Sequence, residues 1–348
     1  MIAVDAMGGD FAPETTVHGA YNAARKKVSI TLYGPQKIIL EILTKIDFHW
    51  QRLPITIIDC SDTIGMAEEP TRSILKKDSS LMRALYAVKN KEAQAVVSAG
   101  NSGAAVVGSI IAFERVQGID RPALGTFIPT AQGSVFLMDI GANVDCKPDY
   151  LLQFAYMGHV FIQQLKQIKN PRVGLLANGH ERGKGSAAIK QVYYLLEHTS
   201  LNFVGNVESR DLFNEVADVL ICDGFVGNIL LKGIQGTVTE LKELIKKSFK
   251  KSFISSCVGL LAAPFLKKIQ NHVDYRQIGG AVLLGVKHPL VIAHGCSNAV
   301  AFEHAILYAH HIAQTQTIER FNQQLVTLLA HEEAIKKPHE STQSMVLS

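Results

Sequence analysis

Short apolar runs that do not alternate in polarity, each separated from the next by a helix-length stretch, constrain this chain more than anything else in it. The runs cover residues 30–33, 55–59, 95–98, 123–128, 135–139, 173–177, 203–204, 219–222 and 290–293, and the opening MIAVD reads as another. Helical spacing of apolar residues occupies 15–27, 80–90, 104–115, 148–168 and 186–197, and a longer helical stretch runs from 298 to about 331. A strand that is apolar on both faces must be covered on both, and parallel neighbours need a crossover helix between them. The expectation is an α/β fold with a mostly parallel sheet, as one large domain or two lobes. In such sheets ligands bind where strand ends meet the loops. The polar, aperiodic tail, residues 332–348, is expected to be frayed or disordered.

The loops after these runs share a character. DAMGGD follows the first strand, AGNSGA follows 95–98, IGANVD follows 135–139, ANGHERGKG follows 173–177, DGFVGN follows 219–222, and HGCSNA follows the last run. Glycine lets backbone approach a ligand closely, and small polar side chains cap a following helix whose free N–H groups favour an anion. Turn and cap chemistry accounts for any one such loop. Six on one expected sheet edge argue for a large site lined by backbone donors.

The loop at 177–185 is near a nucleotide motif without being one. A P-loop needs G-x-x-x-x-G-K-[ST]. Here Gly179 to Gly183 is one residue short, and Gly185 stands where the metal-binding hydroxyl belongs. The dinucleotide fingerprint is absent too, since GKGSAA has only its first two glycines. Lys184 remains a plausible anion ligand, weighed against an ordinary solvated lysine at a helix start. There is no G-x-S-x-G elbow and no H-E-x-x-H, and His310 and His311 read as surface histidines on a helix. The five cysteines have no C-x-x-C spacing, which points to a reducing compartment and no zinc site. A net charge of +4 does not suggest nucleic acid. The opening residues lack the pattern of a signal peptide, and no apolar stretch reaches the roughly 18 residues of a membrane span.

Several longer motifs carry a resemblance. VDAMGGD at the start, EEPTRSILKKDSS at 68–80, SAGNSGA at 98–104 and DIGANVDCKPDYLLQFAYMG at 139–158 resemble the phosphate acyltransferase family of bacterial phospholipid synthesis. So do GNVESRD at 205–211, CDGFVGNILLKG at 222–233, GGAVLLGV at 279–286 and AHGCSNA at 293–299. The match runs in order from residue 1 to about 310. The resemblance implies transfer of a long acyl group from acyl carrier protein to inorganic phosphate. The acyl phosphate then feeds a membrane acyltransferase that acylates glycerol 3-phosphate on the way to phosphatidic acid. It also implies a two-lobed fold like the isocitrate and isopropylmalate dehydrogenases and phosphotransacetylase, a homodimer, no metal or other cofactor, and a cytoplasmic protein on the inner face of the plasma membrane.

The candidate catalytic residues are Lys184, Arg72 and Asp223, the two cations balancing phosphate charge. Candidate substrate-binding residues are Asp5, Gly8 and Gly9; Ser98, Gly100, Asn101, Ser102 and Gly103; Gly179, Glu181 and Gly185; and Asn143, Asn228, His294 and Asn298. Of these, Asp223 also reads as a helix cap and His294 as a structural hydrogen-bonder. The family typically reads L-L-N-I-G-x-E-x-x-K-G at the phosphate-like loop, whereas this chain has Ala177 and Asn178 for Asn-Ile and then His180. A role for the missing asparagine falls to Asn178 or to nothing.

Residues 238–253 place Val238, Leu241, Ile245, Phe249 and Phe253 at helical spacing opposite lysines, and an apolar segment follows. Such a protrusion, residues 237–268, lies on an anionic membrane surface or pairs with a second copy. The candidate membrane-binding residues are Phe249, Phe253, Val258, Leu260, Leu261 and Phe265. The lysines, with Arg276, would attract acidic acyl carrier protein. Three other readings stand beside this one: phosphotransacetylase-like transfer from acyl-CoA, a metal- and NAD-dependent dehydrogenase of the same fold, and a membrane-recruited scaffold.

Overall fold

Strand β1 (Ile2–Asp5) is buried at every residue, so it needs a strand on each side and a helix layer on each face. It pairs in parallel with β2 (Ile30–Gly34) and β4 (Ala95–Ser98), with Ile2 opposite Ile30 and Ala95. The computed structural model of the chain describes residues 1–250, 258, 262–267 and 279–346. The other strands are β3 (Ile55–Asp59), β5 (Ala123–Pro129), β6 (Ser134–Met138), β7 (Arg172–Leu176), β8 (Asn202–Val207), β9 (Val219–Ile221), β10 (Ala281–Leu284) and β11 (Leu290–Ile292). They form one 11-stranded sheet in the order β3-β2-β1-β4-β11-β10-β5-β6-β9-β7-β8.

The sheet is mostly parallel, but it reverses in the middle. β10 runs antiparallel to both β11 and β5, and β5 runs antiparallel to β6. Consequently β1, β4, β11 and β5 point one way, while β6, β9, β7 and β8 point the other. This corrects the expectation of six loops on one edge. The loops after β1, β4 and β11 stand at one end, and those after β6, β7 and β9 stand at the other. The reversal falls between β5 and β6, which pair antiparallel, while β10 runs against both of its neighbours and leaves β11 and β5 pointing the same way. β10, a four-residue apolar run behind Gly279 and Gly280, was not among the expected strands.

Helices cover both faces. The apolar layer on one face joins Ile2 and Val4 to α1 (Glu14–Arg25), α2 (Gln36–Ile46), α6 (Pro148–Lys166), α7 (Ala187–Glu197) and α9 (Ala299–Gln314). The other takes Ala3 and packs α4 (Ser80–Lys89), α5 (Ser102–Phe113) and the start of α8 (Gly224–Phe249). Short α3 (Pro70–Ser73) leans on α5: a Cβ on Gly103 would lie 2.6 Å from Pro70 Cγ.

Two expectations change at the C-terminal end. The stretch from 298 to 331 is two helices, α9 and α10 (Thr317–Val346), divided at Gln316, whose φ of 51° interrupts the helical backbone. α10 continues where no regular structure was expected, because Glu332 is buried and ligated. It accepts hydrogen bonds from Tyr156 Oη at 3.0 Å and from Ser200 N at 3.0 Å. In the 237–268 region α8 is continuous from its Asp223 cap to Phe249, exposing Leu241, Leu244 and Ile245. Val258 and Phe265 are exposed and Phe249 is half-buried, whereas Phe253, Leu260, Leu261 and Arg276 lie outside the described residues.

Candidate functional site

Two buried carboxylates organise the two groups of loops. Asp5, at the end of β1, accepts from Ser80 Oγ at 2.6 Å, Ser98 Oγ at 2.7 Å and Met7 N at 3.2 Å. Burial raises its pKa above the ordinary carboxylate value, against those hydrogen bonds. Ser98 Oγ in turn accepts from Gly100 N at 3.0 Å, so one acid pins the loops after β1 and β4 together. Gly8 fits only without a side chain, since its Cβ would stand 2.6 Å from both Gly100 N and Asp5 Oδ2. Gly9, at φ +117°, brings in the β11 loop, with Asp10 N donating to Gly295 O at 2.9 Å.

Asp139, just past β6, does the same for the second group. Its Oδ1 accepts from Leu124 N at 3.0 Å, Ala142 N at 3.1 Å and Gly141 N at 3.2 Å. Its Oδ2 accepts from Asn143 N at 2.7 Å and Nδ2 at 2.9 Å. Burial again raises its pKa against these bonds. The start of α8 closes over this loop: Gly224 N donates to Asn143 O at 2.7 Å, and a Cβ on Gly227 would fall 1.9 Å from Asp139 O.

Between the two groups, over the face of the antiparallel pair β5 and β10, lies a cavity of about 300 Å³. Its wall is apolar, with Phe127, Ile128, Leu231, Ile234 and Val238. Its polar lining gathers Ser102 at the start of α5, Asn228, Lys232 and Gln235 on α8, and His294 after β11. Asn228, Lys232 and Gln235 share one helix face through their spacing of four and three residues. Gln235 Nε2 and His294 Nε2 are 2.9 Å apart. Burial, and then the charge of Lys232, lower the His294 pKa, so the ring is neutral at physiological pH.

The expected site residues divide accordingly. Ser102, Asn228 and His294 line the cavity. Asp5, Gly8, Gly9, Ser98 and Gly100 shape the loops beside it. Asn101 caps α5 by accepting from Ala104 N at 3.0 Å, and its amide donates to Glu68 O at 2.8 Å, which holds the 66–68 segment over the loop. Asp223 caps α8 through Val226 N at 2.8 Å, and Asn298 caps α9 through Ala301 N at 2.9 Å. Asn143 buttresses Asp139 and donates to Pro122 O at 2.8 Å. These three side chains are committed to the scaffold, while Ser102 at the start of α5 and Ser297 and Ala301 at the start of α9 line the cavity.

Lys184 and Arg72 are not brought to the cavity lining. Lys184 Nζ is 4.0 Å from Glu181 Oε2, in the loop after β7, and exposed Arg72 pairs with Glu69 at 2.9 Å. Asn178 does take up a role in that loop, accepting from Gly185 N at 2.9 Å where Gly185 holds φ +94°. Gly179 lies against the Lys184 side chain, its Cβ position 2.7 Å from Cγ. Asp139, Lys232 and Gln235 were missed. The signal for Lys232 was its position four residues after Asn228 inside CDGFVGNILLKG.

Comparison with known proteins gives the family and the fold. A family model described as "Fatty acid synthesis protein" matches residues 1–320. The phosphate acyltransferase of Dictyoglomus turgidum is 42% identical over 319 residues, 90% of this chain and 94% of that one. That of Clostridium kluyveri is 40% identical over 335 residues, 96% of this chain and all of its own length. Among solved structures, a phosphotransacetylase from Streptococcus pyogenes superposes with a TM-score of 0.57 at 17% identity, covering 92% of this chain and 94% of that one. A 4-hydroxythreonine-4-phosphate dehydrogenase from Klebsiella pneumoniae gives 0.54 at 13% identity, covering 90% and 99%. These structural likenesses show a shared fold.

The fold and the relatives together define an α/β enzyme of the acyltransferase class. Within that class the chain belongs to the phosphate acyltransferase family. No helix among the described residues is long and apolar enough to cross a membrane.

Proposed function

We propose that this acyltransferase moves a long-chain acyl group from the thioester of acyl carrier protein to inorganic phosphate, giving acyl phosphate for phosphatidic acid synthesis. The observation that carries the reading is the cavity, whose apolar wall suits an acyl chain and whose polar lining suits an anion. Phosphate is itself the nucleophile, so no activated serine or cysteine is required. A phosphate oxygen attacks the thioester carbonyl, the carbon–sulfur bond breaks, and the thiolate leaves with the electron pair. Its thiol pKa, near 8.5, makes acid assistance a small part of the barrier.

The work left to the protein is positioning and charge stabilisation. The starts of α5 and α9 offer N–H groups, Lys232 supplies a compact positive charge, and Asn228 and neutral His294 orient the reacting groups. The Lys184 loop joins them if it moves toward the cavity on binding. No metal or nucleotide enters these steps.

The partners follow from the surface. Lys246, Lys247 and Lys250 near the end of α8 offer a basic surface for acyl carrier protein, and Phe249, Val258 and Phe265 offer an apolar one for the inner face of the plasma membrane. The exposed Leu241, Leu244 and Ile245 suit a homodimer contact beside it. That position would deliver acyl phosphate to a membrane glycerol-3-phosphate acyltransferase.

The test is incubation with palmitoyl-carrier protein and phosphate in EDTA, following free thiol and hydroxamate-trapped acyl phosphate. Phosphate-dependent appearance of both is expected. Turnover only with acetyl-CoA would replace this reading by a phosphotransacetylase-like one, and a requirement for NAD and metal by a dehydrogenase.

A further inference from the structure

The 3-10 turn Ser209–Asn214 touches two parts of the molecule that acyl transfer needs. On one side Phe213 lines the cavity and is 46% exposed, an aromatic face available to an apolar ligand. On the other, Asp211 Oδ2 lies 3.2 Å from His180 Nε2, in the loop that carries Lys184. Glu208 adds a second carboxylate 3.7 Å from the same nitrogen. Asn206, at the end of β8, grips that loop from beneath, its amide donating to Glu181 O at 2.9 Å.

The turn is anchored rather than loose. Leu212 is buried, and Asn214 Nδ2 donates to Asp211 Oδ1 at 3.0 Å. Just beyond it Glu215 accepts from Thr130 Oγ1 at 2.6 Å, next to Ile128 and Pro129 of the cavity wall. The ligand atoms of His180, Glu208 and Asp211 fall within 4.8 Å of one another, a spacing a cation would accept. However, Arg210 Nε already sits 3.0 Å from Glu208 Oε2 and 3.8 Å from Asp211 Oδ2. The guanidinium supplies the positive charge there, and the cluster is a clamp.

We infer that this turn is an acyl-chain gate. Phe213 is the wall that a long chain meets, and the Asp211–His180 contact ties that wall to the Lys184 loop. A chain long enough to press on Phe213 shifts the turn, and the clamp carries the shift to the loop of Lys184, drawing it toward the cavity. The inference rests on the acyl-transfer reading above, and it makes Phe213 a specificity residue and His180 a positioning residue. Neither role was legible in the sequence, where His180 stood only as a departure from the family pattern.

The experiment compares octanoyl- and palmitoyl-carrier protein as donors for the full chain and for Phe213→Ala, Phe213→Trp, His180→Ala and His180→Gln. Phe213→Ala is expected to lower the palmitoyl-to-octanoyl ratio of kcat/KM by about fivefold, because the long chain loses both its apolar contact and the wall it presses on, and Phe213→Trp, which extends that wall, to raise it. His180→Ala is expected to raise the phosphate KM by about fivefold with the palmitoyl donor and less with the octanoyl one. His180→Gln, which keeps a donor for Asp211, restores it. Displacement of a fluorescent fatty acid by octanoate and palmitate gives the same ratio without turnover. If both Phe213 variants keep the wild-type ratio at native melting temperature, or His180→Ala keeps the wild-type phosphate KM, the gate is overturned. If the wild type forms no acyl phosphate from either donor, it is the acyl-transfer reading that fails, and the displacement series still decides the gate.

Discussion

Gly8 and Gly100 meet backbone to backbone: a Cβ placed on Gly8 would lie 2.6 Å from the Gly100 nitrogen. The same Cβ would lie 2.6 Å from an Asp5 carboxylate oxygen and 2.9 Å from Ser98 Oγ. The first neighbour is backbone, and the two side-chain oxygens are buried and tied by hydrogen bonds of 2.6 and 2.7 Å. Gly8→Ala must therefore push the β1 and β4 loops apart, at a cost of about 1–3 kcal/mol. Urea denaturation should show the loss, and acyl phosphate formation should fall further than stability alone explains, because the start of α5 moves with the Gly100 loop.

Asp139 gathers five N–H donors from two stretches of chain. An asparagine there would aim its own N–H groups at donors and leave some of them buried and unpaired. Asp139→Asn should destabilise by about 2–4 kcal/mol, which the midpoint of chemical denaturation will read. A midpoint unchanged from wild type would mean that the loop can re-satisfy those donors elsewhere.

Lys232 faces the cavity and its charge helps to lower the His294 pKa. Lys232→Met keeps the length and apolar stem but removes the cation. The phosphate KM should rise about tenfold or more, as for loss of one charge-assisted hydrogen bond, and the His294 pKa should rise. Steady-state kinetics and NMR titration of the imidazole would check the two halves separately. An unchanged phosphate KM would remove Lys232 from anion binding.

Much of the fold was legible because parallel strands buried on both faces are written as unbroken apolar runs. The run 95–98 matches the fully buried β4 at both ends, and 55–59 matches the edge strand β3 although it is only partly covered. What was not legible was direction. Whether a short run such as Ala281–Leu284 pairs parallel or antiparallel depends on partners nearly 160 residues away, such as Gly125 opposite Val282, and the alternation pattern is the same either way. The same holds for β6 against β5, the antiparallel pairing that turns the second half of the sheet around and puts the cavity on the face between two groups of loops. The site was legible as far as glycines and caps reveal loops. Asn101, Asp223 and Asn298 were found for their residue type and proved to be caps, whereas the mark on Lys232, its place one helical turn after Asn228, becomes visible only once α8 is known to be a helix from Asp223 onward.

Stability should also depend on pH through His159 on α6, 7% exposed, whose pKa burial lowers against a hydrogen bond with the Pro171 backbone. The unfolded chain takes up a proton near the ordinary value of about 6.5, while the folded chain resists it to lower pH. A depressed base therefore contributes stability that is present above that value and is lost as pH falls below it. The melting temperature should drop between about pH 7 and about pH 5.5. His288, His294 and His310 are shifted in the same direction, so His159→Gln should shrink that drop without abolishing it. The comparison is of slopes, because the substitution costs packing at every pH. A variant whose melting temperature falls as steeply as the wild type's would show that His159 is not among the groups that couple folding to protons.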